Sequence, residues 1–157
     1  MTSYVESFLV AAVDAAIAMQ TAALAAESLG LGMCYIGGIR NQPRSVISLL
    51  ELPKLVFPIS GMTLGWPAVE PPIRPRLPLE AVLHWECYDS SQEAGALEAY
   101  DQTMIETGIY RGRQVEVPGG GGREEDYGWL EHSARRASTP VRTDLRQALQ
   151  EQGFGLE

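Results

Sequence analysis

From about Ser3 to Leu29 the sequence is an unbroken run of good helix formers, rich in alanine and closed by Gly30. Such a run predicts one long helix with a glycine stop. Its small side chains permit close helix packing, and Phe8, Val13, Ile17, Met19 and Leu24 do not fall on one clean stripe. A helix apolar on several sides is expected to be buried on several sides, in a core or a dimer interface. Phe8 to Ala26 is also membrane-like in length, but Asp14, Gln20 and the many alanines make it weakly apolar for a span, so no membrane is expected as a partner.

Downstream, Met33 to Gly38 reads as a short buried strand ending on a glycine pair. Asn41 and Pro43 then read as the cap and first turn of a helix to about Leu50, with Val46, Ile47, Leu49 and Leu50 on its buried face. Leu55 to Leu64 is a second strand, in which Pro58 and Gly61 imply an edge or a bulge. The five prolines from Pro67 to Pro78 predict an extended loop carrying Arg74 and Arg76. Ala81 to Tyr88 reads as a third extended segment, and Ser90 or Ser91 can cap a helix through Leu97, Tyr100, Met104 and Ile109. The glycine run at Gly119 to Gly122 predicts a flexible surface loop, either a lid or a spacer. Thr139-Pro140 starts a last helix, with Val141, Leu145 and Leu149 on one face and Gly153 at its end. Helices alternating with isolated strands suggest an α+β fold, although strand count alone does not separate this from α/β.

At 157 residues the chain is about one domain, and its formal charge of −8 lacks the basic field a nucleic acid or anionic membrane requires. Small molecules remain the natural ligands. Cys34 and Cys87 are far apart and form no Cys-x-x-Cys pair, and the N-terminus lacks a signal-peptide pattern, which points to a reducing cytoplasm. Gly30-Leu31-Gly32 follows a helix and precedes a strand, the reverse of the order that places a pyrophosphate at a helix start. No P-loop, zinc spacing or nucleophile elbow is present, and His84 and His132 are isolated, so neither a metal site nor a protein nucleophile is expected.

Three segments carry more information together than apart. Leu31 to Arg40 reads Leu-Gly-Met-Cys-Tyr-Ile-Gly-Gly-Ile-Arg, and is followed by Leu64-Gly65-Trp66-Pro67 and by Arg74-Pro75-Arg76-Leu77-Pro78. A glycine pair at a strand end leaves backbone amides open to a flat ligand, and two guanidinium groups on a stiff loop suit a phosphate or another anion. In this order the segments resemble the FMN-dependent nitroreductase family, specifically its NADPH-dependent nitro/flavin reductase branch. The resemblance implies a central, mostly antiparallel sheet packed by helices, a long central helix and an extended C-terminal helical arm. It implies FMN lined by Tyr35, Ile36, Gly37 and Gly38 and bound by Arg74 and Arg76, where Arg74 stands at a position the family commonly fills with lysine.

Arg111, Arg113 and Arg123 bracket the glycine run, and the resemblance implies that Arg111 and Arg123 meet NADPH, Arg111 best because it keeps its spacing from Tyr100-Asp101. It further implies a homodimer with FMN at the interface, and ping-pong hydride transfer to a nitroaromatic, a quinone or a flavin. The chain looks like the C-terminal part of such an enzyme, the N-terminal part of the fold being absent. Residues 1–157 would form one partial domain, with 90–157 a helical extension containing the glycine-rich loop at 118–122. A non-catalytic remnant, or a subunit completed by a second polypeptide, is the competing reading.

Overall fold

The structure is a computed structural model that describes residues 4–117, 122 and 125–157. Helix α1 runs Val5–Ser28 and ends as its glycine stop requires. Gly30 takes a φ of +78°, and the N–H groups of Leu29 and Gly30 return to the carbonyls of Ala26 and Glu27 at 3.0 and 2.9 Å. The expectation of burial on several sides does not hold within the chain. Only Ala23 and Ala26 of α1 are buried, and Val13, Ile17 and Leu24 are each more than half exposed. One side of α1 meets the sheet, and its first turn meets the C-terminal segment through an edge-on Phe8–Phe154 contact. By length and composition α1 is also apolar enough to cross a membrane.

Strands β1 (Gly32–Ile36) and β2 (Gly61–Gly65) form an antiparallel pair, with Met33 opposite Leu64 and Ile36 opposite Gly61. Both are shorter than the sequence suggests, for separate reasons. Gly37 and Gly38 leave β1 for a 3-10 turn, Gly37–Asn41. Leu55 to Ser60 stays out of β2 because Pro58 has no N–H to donate and the N–H of Leu55 goes instead to the carbonyl of Gln152 at 2.8 Å.

Helix α2 (Pro43–Leu49) begins on Pro43, which is fully buried, but only Val46 and Ile47 of its expected apolar face are half-buried. Leu49 and Leu50 are exposed. The elements packed here divide into two compact units, Met1–Glu70 with Arg142–Glu157 and Pro71–Val141. In the first unit the C-terminal helix α5 (Leu145–Glu151) docks on α2. Arg44 bridges Asp144 at 2.5 Å and Glu151 at 2.6 Å, the Gln152 side chain donates to the Pro53 carbonyl at 2.6 Å, and Ala148, Leu149 and Phe154 are buried. The Arg44 guanidinium holds the Glu151 carboxyl below its usual range. Helix α5 starts later than Thr139-Pro140 suggests, since 139–141 are irregular and Arg142 takes a φ of 56°.

The second unit holds helices α3 (Glu93–Glu106) and α4 (Trp129–Ser138), packed on each other. The extended segment expected at Ala81 to Tyr88 is not a strand. A 3-10 turn at Leu79–Ala81 draws the N–H of Leu83 back to the Leu79 carbonyl at 2.8 Å, and Glu86 takes a φ of 60°, so this backbone turns locally rather than joining a ladder. Helix α4 was not signalled by the sequence. Gly128, its N-cap residue, has no side chain to cap with, and Asp101 of α3 supplies the cap, its Oδ1 accepting the Leu130 N–H at 2.7 Å.

Candidate functional site

The glycine turn between β1 and α2 is shaped by one arginine. Arg40 donates to the Ile59 carbonyl, and its guanidinium lies across Gly37, where an added Cβ would stand 3.3 Å from Nη2. Gly38 is exposed, and the place of its Cβ is open, with the nearest atom 4.0 Å away. The opening N–H groups of a 3-10 turn have no acceptor within the turn. Arg40 thus covers Gly37, and Gly38 leaves an uncovered backbone face at the start of the turn, the kind of face a flat ligand with acceptor atoms at its edge would fit. Tyr35 precedes them, exposed, its hydroxyl donating to Oε1 of Gln20 on α1 at 2.6 Å, while Ile36 is half-buried. Helix, strand and turn thus place Tyr35, Ile36, Gly37 and Gly38 together in the first unit.

Arg74 and Arg76 lie in the second unit, on the proline-rich loop, and both are exposed. Neither takes a hydrogen bond or an ion pair from the described residues. Their two guanidinium forks flank Pro75, which fixes its own backbone angle and so stiffens the pair. Two guanidinium groups so placed have the planar donor forks that a bidentate contact to an anion requires.

Arg111 follows α3. Its Nε sits over Gly108, which takes a φ of +64° and where an added Cβ would stand 3.1 Å away. Gly108 thus serves both the left-handed turn and the close approach of Arg111. A pocket of about 90 Å³ opens beside it, lined by Ile105, Gly108, Tyr110, Arg111, Gln114, Glu125 and Tyr127. Arg123 and the glycines at 119–121 lie outside the described residues. A wider cleft of about 490 Å³ lies between Leu79 and Gln92, with His84, Trp85, Cys87 and Asp89 in its wall. No group of His, Cys, Asp and Glu among the described residues is arranged to hold a metal ion.

Behind Arg111 the second unit is aromatic. Tyr127 is buried, its hydroxyl lies 3.2 Å from Nδ1 of His132, and the His132 ring stacks on Tyr110 at 4.4 Å. Burial pushes the His132 pKa below its ordinary value, with Arg136 adding to the effect, and burial likewise raises that of the Tyr110 hydroxyl. Nothing local in the sequence marks these contacts, because each joins residues of different elements.

Models of the nitroreductase family match most of this chain: the family domain over residues 5–66 and the nitroreductase family C-terminal domain over residues 74–157. The chain belongs to the nitroreductase family. A relative named FMN reductase [NAD(P)H], from Bacillus subtilis, is 42% identical over 158 residues, covering 100% of this chain and 60% of the relative. An oxygen-insensitive NADPH nitroreductase from Salmonella typhimurium is 41% identical over 149 residues, covering 95% and 58%. Among solved structures, the hypothetical oxidoreductase YcnD of Bacillus subtilis superposes with a TM-score of 0.86 at 42% identity, covering 99% of this chain and 59% of that one. The NADPH:FMN oxidoreductase of Vibrio harveyi, complexed with NAD+, superposes at 0.81 with 30% identity, covering 99% and 60%. This nitroreductase-family chain therefore has the α+β nitroreductase fold, and it spans about 60% of the length of the relatives it matches.

Proposed function

We propose that this nitroreductase-family chain forms part of an FMN-dependent NAD(P)H oxidoreductase that reduces a nitroaromatic, a quinone or a flavin. The observation that carries the reading is a family match running across the chain through both candidate binding segments, the glycine turn and the arginine pair. Two relatives whose names include FMN reductase and NADPH nitroreductase support it.

Bound FMN would supply the two-electron chemistry, taking hydride from NADPH and passing it to the acceptor in ping-pong order. The chain's own residues bind and orient. Tyr35 to Gly38 would line the ring, with the Gly37 and Gly38 amides donating where electron density rises on reduction. Arg74 and Arg76 would hold the anionic parts of the cofactor, and Arg111, with Arg123, would meet the 2′-phosphate of NADPH. No side chain acts as a nucleophile in this scheme.

Dimerisation through α1 is part of the proposal. The exposed Val13, Ile17 and Leu24 give a second copy an apolar face to cover, and the covering of such a face by protein is preferred over a membrane because Asp14 and Gln20 lie within the helix. Free Cys34 and Cys87 agree with a cytoplasmic location. The same exposed faces favour a second reading, in which another polypeptide must complete the flavin site. Gel filtration after incubation with FMN separates the two. A yellow dimer of the chain supports the first; a colourless chain that takes up FMN only when a polypeptide spanning the relatives' unmatched region is added supports the second.

A further inference from the structure

The stretch that carries Arg111 and Arg113 is pinned at both ends, and the pins are on or next to α4. At one end the Tyr110 ring stacks on His132, with centroids 4.4 Å apart and planes 24° from parallel. At the other end both polar groups of the Val115 backbone are taken. Its N–H donates to the Tyr127 hydroxyl at 3.0 Å, and its carbonyl accepts from Nη1 of Arg135 at 3.2 Å. Arg135 is only 7% exposed, which is unusual for an arginine and requires that its charge be answered. Nε donates to Glu131 at 2.5 Å, Nη1 and Nη2 reach the Gly122 carbonyl at 3.5 Å, and the guanidinium lies over the Tyr127 ring, 5.1 Å from its centroid. A buried fork of this kind spends its donors on backbone carbonyls of two separate segments, and so fixes their positions.

We propose that Arg135 and Tyr127 are positioning residues for pyridine-nucleotide binding, holding Val115 so that the span from Tyr110 to Val115 presents its cations already ordered. The proposal rests on the reading that Arg111 meets NADPH. Neither Arg135 nor Tyr127 need touch the nucleotide. Their effect is to remove an ordering cost that binding would otherwise carry.

The test compares the wild-type chain with Tyr127→Phe, Arg135→Ala and Arg135→Lys. Amide hydrogen exchange is followed across residues 110–116, and NADPH affinity is measured by calorimetry. Exchange in 110–116 should quicken in all three variants while α3 stays protected. NADPH affinity should fall about tenfold, the cost of re-ordering roughly one backbone residue on binding. Lysine keeps the charge but not the fork, and should not rescue.

Quicker exchange with unchanged NADPH affinity overturns the positioning role and leaves the Arg111 reading standing. Unchanged exchange, or full rescue by lysine, overturns the clamp itself. A wild-type chain that binds no NADPH contradicts the Arg111 reading and removes the role with it. If the Arg135 variants fail to fold, Tyr127→Phe decides, because it keeps the ring beneath the guanidinium and deletes only the hydroxyl.

Discussion

The cap on α4 makes a sharp quantitative prediction. A Cβ added at Gly128 would stand 2.5 Å from Cγ of Asp101 and closer still to both carboxylate oxygens, against an ordinary contact of about 3.5–4.0 Å. The backbone there, at φ −101° and ψ −165°, is one that alanine adopts freely, so Gly128→Ala adds no backbone strain. Its whole cost comes from driving Asp101 off the Leu130 N–H. Losing that charge-assisted bond costs about 1.5–3 kcal/mol, and the smaller entropy of the unfolded alanine chain offsets about 0.4–1 kcal/mol. The net expectation is destabilisation by about 0.5–2.5 kcal/mol.

Asp101→Ala should cost a similar amount, about 1–2 kcal/mol, by removing the cap directly. The decisive quantity is the double variant. With the carboxylate gone the new methyl group has room, so Gly128→Ala in the Asp101→Ala background should cost nothing or stabilise slightly. Urea unfolding followed by circular dichroism, with the slope checked for constancy, gives all four corners of the cycle. Additive single effects would refute the claim that the glycine exists to admit the carboxylate.

Three further outcomes are expected. Arg111→Ala should raise the KM for NADPH while sparing NADH, by a loss of about 1.5–3 kcal/mol if the side chain bonds the 2′-phosphate; an equal effect on both nucleotides would remove that role. If α1 forms the proposed dimer interface, Ile17→Glu should shift sedimentation equilibrium from dimer to monomer, because an apolar contact worth about 1.5–3 kcal/mol per buried side chain is replaced by a charge in each copy; an unchanged mass would remove α1 from the interface. Stability should fall as pH drops below 6.5, the ordinary histidine value, because the unfolded chain then takes a proton that folded His132, with its lowered pKa, resists. Thermal melts of His132→Asn should show a shallower decline over that range, and parallel curves would clear His132 of the effect.

Features set by neighbouring residues were legible in the sequence. Gly30 stops α1 and Pro43 opens α2 because both act on their own backbone. The irregular loop around Arg74, Pro75 and Arg76 was legible for the same reason. Helix α4 was not, since its cap is an aspartate 29 positions before the amide it receives, and a glycine stands where a capping side chain is sought. The span from Leu55 to Ser60 misled because a partner near the C-terminus, the Gln152 carbonyl, takes the Leu55 N–H. The apolar face of α1 reads as core from composition, yet composition does not say which molecule covers it. The burial of Arg135 and Tyr127 was not legible, because an arginine and a tyrosine in a polar stretch read as exposed until the fold buries them.

The central claim, that this chain lines a flavin site with an arginine pair as its anion receptor, is tested most directly by FMN affinity. Equilibrium titration of FMN into the chain and into Arg76→Ala, followed by quenching of flavin fluorescence, should show saturable binding. The variant should be weaker by about 1–3 kcal/mol, the worth of one charge-assisted hydrogen bond. Identical affinity in the two proteins would contradict the placement of Arg76 at the cofactor.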